Sequence, residues 1–234
     1  MRPIFRRRSV PLVSAMVSAR TPPAHPLLRH LGAGVIRLFR YRMVGEPPAA
    51  PVSIVVGAPH TSNWDFILTM SIAYASNLDP VWLGKKEMFV GPAGWIFRKM
   101  GGVPVDRSDS GGLVDSMIAV VGSRRHVAVL IAPEGRRDKA KYWKSGFRRI
   151  ALGADLPVTL SFLDGPTRTG GWGPTLKMSG DVVADMDAIR AFYVDKRGVK
   201  PGRFTPPLLR EEEDELPTDR SGRKLLGVGG EHEH

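Results

Sequence analysis

The 234-residue chain contains no cysteine. That excludes disulfides, zinc thiolate sites and a cysteine nucleophile, and leaves the redox compartment undetermined. No apolar run approaches the length of a membrane span, so contact with lipid has to be made from the surface. There is no Gly-x-Ser-x-Gly elbow and no internal repeat, which makes a serine hydrolase a poor reading. Negative charge is missing from the whole opening stretch: no acidic residue precedes Glu46, while nine arginines precede Met43.

What is present is an excess of positive charge, 34 Lys plus Arg against 23 Asp plus Glu, a net +11. Such a balance favours anionic partners: nucleic acid, phosphorylated metabolites or an acidic membrane surface. The length suits one α/β domain with flanking segments. Met1 to Arg20 has the outline of a targeting peptide, with Arg6 to Arg8 ahead of the mildly apolar Val10 to Ala19. Pro11, Ser14 and Ser18 interrupt it, and no small-residue cleavage site precedes Thr21. From Leu27 to Val44, Leu28, Leu31, Val35, Leu38 and Phe39 share one helical face and Arg29, Arg37 and Arg40 the opposite one. This predicts a basic amphipathic helix, packed on the core or lying in a membrane interface.

Beyond the proline-rich 46–51 stretch, strand and helix patterns alternate. Strands are predicted at Val52–Val56, Val81–Leu83, Val103–Val105, Val127–Ile131 and Pro157–Phe162, with an edge strand at Thr175–Ser179. Helices are predicted at Trp64–Ser76, Pro92–Met100, Leu113–Val121 and Met186–Lys196. The fold class is therefore α/β, a mostly parallel or mixed sheet with crossover helices, preceded by an N-terminal amphipathic helical segment. The expected division is a basic arm over 1–50, a catalytic unit over 51–200, and a mobile Pro/Gly/acidic tail over 201–234.

Ligands of such sheets sit beyond the strand ends, and four clusters stand there. Val52 to Asp65 reads VSIVVGAPHTSNWD. It delivers His60 from a strand end and Asp65 from the first turn of a helix capped by Ser62 or Asn63. A histidine held by a carboxylate through one nitrogen can take a hydroxyl proton on the other. Lys85, Lys86 and Glu87 follow the second strand, Asp106 and Arg107 the third, and Ala132 to Arg137 (APEGRR) the fourth. Arginines beside a Pro-Glu-Gly turn offer forked donors suited to phosphate or carboxylate.

In this order the blocks resemble the glycerolipid acyltransferase family, the 1-acylglycerol-3-phosphate acyltransferases and their relatives. The first block, a His, four residues and an Asp, matches His60 to Asp65. The second matches Gly102-Val103-Pro104-Val105-Asp106-Arg107, preceded by Lys86-Glu87-Met88. The third, usually Pro-Glu-Gly-Thr-Arg, matches Pro133-Glu134-Gly135-Arg136-Arg137, with Arg136 where the family usually has threonine. The fourth matches Leu156-Pro157-Val158, and Lys144-Ser145-Gly146-Phe147 is similar to a short Lys-x-Gly segment after the third.

The resemblance implies an O-acyltransferase of phospholipid synthesis. It would move a fatty acyl group from a thioester of coenzyme A or acyl carrier protein to a hydroxyl of lysophosphatidic acid or glycerol 3-phosphate. His60 and Asp65 would be catalytic. Glu134 and Gly135 would brace the loop or serve the oxyanion, and Arg107, Arg137 and Lys86 would bind the acceptor phosphate. It implies no metal and no cofactor beyond the thioester co-substrate. It also implies a peripheral place on the cytoplasmic face of an anionic membrane, without a spanning segment, and apolar stretches such as Phe89 to Phe97 could dock there; for Trp95 and Phe97 ordinary core packing is the simpler expectation. The alternatives are an acyltransferase for another lysolipid or an amino-lipid, and a non-catalytic basic module binding membrane or nucleic acid. Nucleic acid is the disfavoured partner, because the four ordered blocks would then have no role.

Overall fold

The computed structural model describes residues 24–105, 110–122 and 126–215. The Met1–Arg20 segment, Asp106, Arg107 and the end of the chain from residue 216 lie outside the described residues. In chain order the elements are α1 (Pro26–Leu38), β1 (Arg42–Val44), β2 (Val52–Ala58), α2 (Asn63–Ala75), β3 (Val81–Lys85) and a 3-10 turn at Lys86–Phe89. There follow α3 (Gly91–Lys99), β4 (Gly102–Val105), α4 (Ser110–Gly122), β5 (Val127–Ile131), α5 (Gly146–Gly153), β6 (Val158–Asp164) and β7 (Thr169–Leu176). The last are α6 (Val182–Tyr193), a 3-10 turn at Pro201–Arg203, and α7 (Arg210–Glu215).

The seven strands form one mixed sheet in the order β1-β7-β6-β2-β5-β3-β4. Its centre is parallel, β2 lying between β5 and β6, and β7 runs antiparallel to β6. Central parallel strands are covered on both faces, hence their unbroken β-branched runs: Ile54, Val55 and Val56 are all buried, and β6 is buried along its whole length. Ile54 and Val56 point into a core shared with α4, α5 and α6. Val55 points the other way, toward Leu68 and Ile72 of α2 and Ile36 of α1. The crossover after β2 therefore lies on one face and the helix after β5 on the other. Adjacent strands whose connections leave to opposite faces open a crevice between their C-terminal ends. The segments after β2 and β5 meet in that crevice.

Several boundaries differ from expectation. The helix expected to reach Val44 stops at Leu38, because Arg40 takes a left-handed φ of 59° and Arg42–Val44 then joins the sheet as its outer strand, parallel to β7. The expected edge strand at Thr175–Ser179 is instead β7, starting at Thr169 and flanked on both sides. The 201–234 segment was expected to be mobile throughout, yet its described part packs on the domain. Trp143 donates its N–H to Leu208 (2.8 Å) and its indole N–H to Thr205 (3.2 Å), and Leu209 is fully buried. These apolar anchors outweigh the proline-rich composition that suggested a tail. Likewise, the described part of the 1–50 arm supplies a packed helix and a strand of the same sheet. Phe97 packs against Phe66 and Trp82, whereas Trp95 is 63% exposed.

Candidate active site

His60 stands just beyond β2, after Pro59, and its side chain is largely covered. Its backbone N–H donates to Glu134 Oε1 at 3.0 Å, joining the loop after β2 to the loop after β5 across the crevice. Ser62 caps α2, accepting from the Trp64 N–H at 3.1 Å, and Asp65 at the third helical position completes a capping box. Helix start and catalytic-looking loop are thus one local structure. Asp65 Oδ2 accepts from the backbone N–H groups of Thr61 and Ser62 and, at 3.1 Å, from the Thr61 hydroxyl. Its Oδ1 accepts from the Val199 N–H at 3.3 Å.

The His60 and Asp65 side chains lie together, Nδ1 to Oδ2 at 3.9 Å. That is beyond hydrogen-bonding range, so the carboxylate acts on the imidazole through its field and holds the loop through its hydrogen bonds. Burial, reinforced by the positive charge of Arg137, pushes the His60 imidazole down to about 4. The nearby Asp65 charge would favour protonation, but it is already shared among several N–H donors, so burial and Arg137 prevail. His60 is therefore a neutral base at physiological pH. Burial raises the Asp65 carboxyl, against the pull of the Ser62, Thr61 and Val199 donors. Burial also lifts the Glu134 carboxyl to about 8, opposed by the His60 N–H and reinforced by the charge of Asp65. Only Oε1 of Glu134 is hydrogen-bonded among the described residues.

Gly135, Arg136 and Arg137 share the loop of Glu134. Gly135 turns the loop with a φ of 66°, and its N–H closes the turn on the Ala132 carbonyl at 3.1 Å. Arg136 and Arg137 are exposed, and Arg137 is near enough for its charge to act on His60. Lys86 is exposed at the start of the 3-10 turn after β3. Arg107 lies outside the described residues, but β4 leads toward it and ends at Val105, in register with Lys85.

Two contributors were missed by sequence reasoning. Thr61 is fully buried and links Asp65 to the far end of the domain, its hydroxyl oxygen accepting from the Lys200 N–H at 2.9 Å. Gly198, at φ 71°, lies so close that an added Cβ would be 2.8 Å from the Thr61 side chain. The only local signal is the Arg197-Gly198 pair after the last long helix, which marks a turn but not its target. Among the described residues no group of acidic or histidine side chains could hold a metal ion.

The geometry is an imidazole in a crevice at strand ends, flanked by two buried carboxyl groups and within reach of the charge of Arg137. Such an imidazole can remove a proton from a hydroxyl. No curated protein matches the chain. A solved structure, the 1-acyl-sn-glycerophosphate (LPA) acyltransferase PlsC from Thermotoga maritima, is similar, with a TM-score of 0.51 and 18% identity over 74% of this chain and 76% of that one. The acyltransferase family model matches residues 44–160, from the outer strand through the His60, Glu134 and Pro157 blocks. The chain therefore belongs to the acyltransferase family.

Proposed function

We propose that this acyltransferase moves a fatty acyl group from an acyl thioester to a hydroxyl of a glycerol-phosphate acceptor, lysophosphatidic acid or glycerol 3-phosphate, at a membrane surface. The observation that carries the reading is the position of His60. It stands at the end of the central strand with Nδ1 3.9 Å from Asp65 Oδ2, and burial holds its imidazole below the usual range. As the acceptor oxygen attacks the thioester carbonyl carbon, its proton passes to the free nitrogen of His60. Asp65 stabilises the resulting imidazolium across 3.9 Å. Collapse of the tetrahedral intermediate breaks the carbon–sulfur bond, and the thiolate recovers the proton from His60. No acyl-enzyme is formed. Arg137, Lys86 and Arg107 grip the acceptor phosphate and hold its hydroxyl at the base.

The surface supports a lipid-borne substrate. Leu27, Leu31 and Leu38 form an exposed stripe along α1, and Trp64, on the first turn of α2, is 48% exposed beside Phe39. Val90, Trp95 and Ile96 are exposed on and beside α3. All three helices cover the same face of the sheet, and Arg29, Arg37 and Arg40 are exposed along α1 and its end. Apolar side chains among arginines suit docking to anionic lipid. No helix among the described residues is long and apolar enough to cross a membrane.

Replacing His60 by alanine should lower acyl transfer by about 10³-fold or more in a variant that still folds, since the site's backbone bonds do not use the imidazole. Release of free thiol from a long-chain acyl thioester in the presence of lysophosphatidic acid measures it. Near-normal turnover by the folded variant would overturn the mechanism.

A further inference from the structure

We infer that a cationic groove between the Lys139 segment and the Arg197 loop receives the phosphorylated nucleotide end of a coenzyme A thioester. The inference rests on the acyltransferase reading above and adds the donor's binding place to it. The groove, about 430 Å³, is lined chiefly by Lys139, Ala140, Val194, Arg197, Phe204 and Pro206.

Its position follows from the sheet. Lys86 sits after β3 and Arg137 after β5, on one side of β2. The loop carrying Arg197 sits on the other side, beyond β6: Gly198 exchanges backbone bonds with Leu163 (3.1 Å) and Gly165 (3.0 Å) at the end of that strand. The same loop donates the Val199 N–H to Asp65 and the Lys200 N–H to Thr61. Lys139 comes from the loop after β5, two residues after Arg137. Both walls of the groove are thus covalently continuous with segments that touch the His60 centre.

Its chemistry fits a nucleotide phosphate better than a lipid tail or an acidic peptide. Among the described residues Lys139 makes no hydrogen bond or ion pair, and its neighbour Asp138 is paired with Arg203 at 3.2 Å and does not neutralise it. Arg197 is held in place. Its Nη1 donates to the carbonyls of Val194 (2.7 Å) and Lys196 (3.1 Å), and its guanidinium carbon lies over the Phe204 ring, 5.4 Å from the centroid. A guanidinium positioned in this way keeps its remaining donors available for a phosphate. Val194 and Pro206 supply apolar walls for the base. No acidic residue lines the groove. An acyl carrier protein brings no free nucleotide end and would leave these features unused.

The test compares kcat/KM for a long-chain acyl-CoA with that for the same acyl group on pantetheine, using the full chain and a fixed acceptor, in wild type, Lys139→Ala and Arg197→Gln. Lys139 is exposed, so its variant reports even where Arg197→Gln disturbs the loop. Loss of one charge-assisted phosphate contact should lower the CoA-to-pantetheine ratio about tenfold. Adenosine bisphosphate should compete with acyl-CoA in wild type and less well in both variants. An unchanged ratio in both variants, or a wild type that uses acyl carrier protein thioesters but not acyl-CoA, overturns the groove's role and leaves the acyltransferase reading standing. A wild type that transfers from no thioester at all overturns that reading, and the groove's role with it.

Discussion

Glu134 is the residue whose protonation links the site to the stability of the fold. Burial raises its carboxyl from 4.5 to about 8, so between these values the folded chain holds a proton that the unfolded chain has lost. Its contribution to stability is fully present below 4.5 and disappears as the pH rises toward about 8. His60 runs the other way. With its imidazole pushed from 6.5 down to about 4, its contribution is present above 6.5 and is lost as the pH falls toward about 4. Glu134→Gln keeps an acceptor for the His60 N–H and cannot ionise. Its thermal midpoint should exceed the wild-type value at pH 8, by about 2–4 °C for each kcal/mol relieved, and match it at pH 5. Thermal scans at the two values check this, and an equal gap at both would show that ionisation of Glu134 is not the cause. At this scale the sequence was partly legible. His60, Asp65 and Glu134 stand out because motif spacing is local. The supports of Asp65 do not, because Val199 and Lys200 reach the His60 loop from 134 and 139 positions away.

Among the elements, the contact between α1 and α2 depends on a glycine. A Cβ on Gly32 would lie 2.6 Å from the Ser71 carbonyl oxygen, whereas one on Gly34 would meet nothing within 4 Å. Gly32→Val should therefore destabilise the fold by about 1–3 kcal/mol. Gly34→Ala should be stabilising by about 0.5–1 kcal/mol, since helix propensity alone acts there. Urea denaturation of the two variants separates packing from propensity, and equal midpoints would remove the close approach as the reason for Gly32. Helix periodicity made α1 visible from the sequence. Its end was not, because no local residue announces that Arg42–Val44 pairs with Thr169–Gly171 at the other end of the fold. The α7 region was misread for a related reason: composition describes solvation, while Leu209 and Thr205 are fixed by Trp143.

For the molecule as a whole, the net charge of +11 and the exposed leucine stripe predict two separable contributions to vesicle binding. Raising salt from about 0.1 to 1 M shortens the screening length from roughly 10 to 3 Å and should weaken association with anionic vesicles. Leu31→Asp should lower it about tenfold or more even at low salt, since burying a leucine side chain is worth about 1.5–3 kcal/mol. Vesicle sedimentation measures both, and unaltered retention of Leu31→Asp would take α1 off the docking face. The alternating pattern revealed the α/β class. It could not reveal the strand order, which depends on crossovers that periodicity does not encode.

The pairing of β1 with β7 bears on how the N-terminal region can be dissected. Gly45, at φ 74°, turns the chain so tightly against Trp172 that an added Cβ would lie 2.0 Å from its carbonyl oxygen, and the strand before it satisfies the outer backbone groups of β7. Cutting the chain at this turn would do more than remove α1. It would bare a row of unpaired amides and carbonyls on a half-buried strand, a template for self-association. Loss of membrane binding after such a cut would be confounded by aggregation, so the leucines of α1 have to be changed one at a time with the strand left in place.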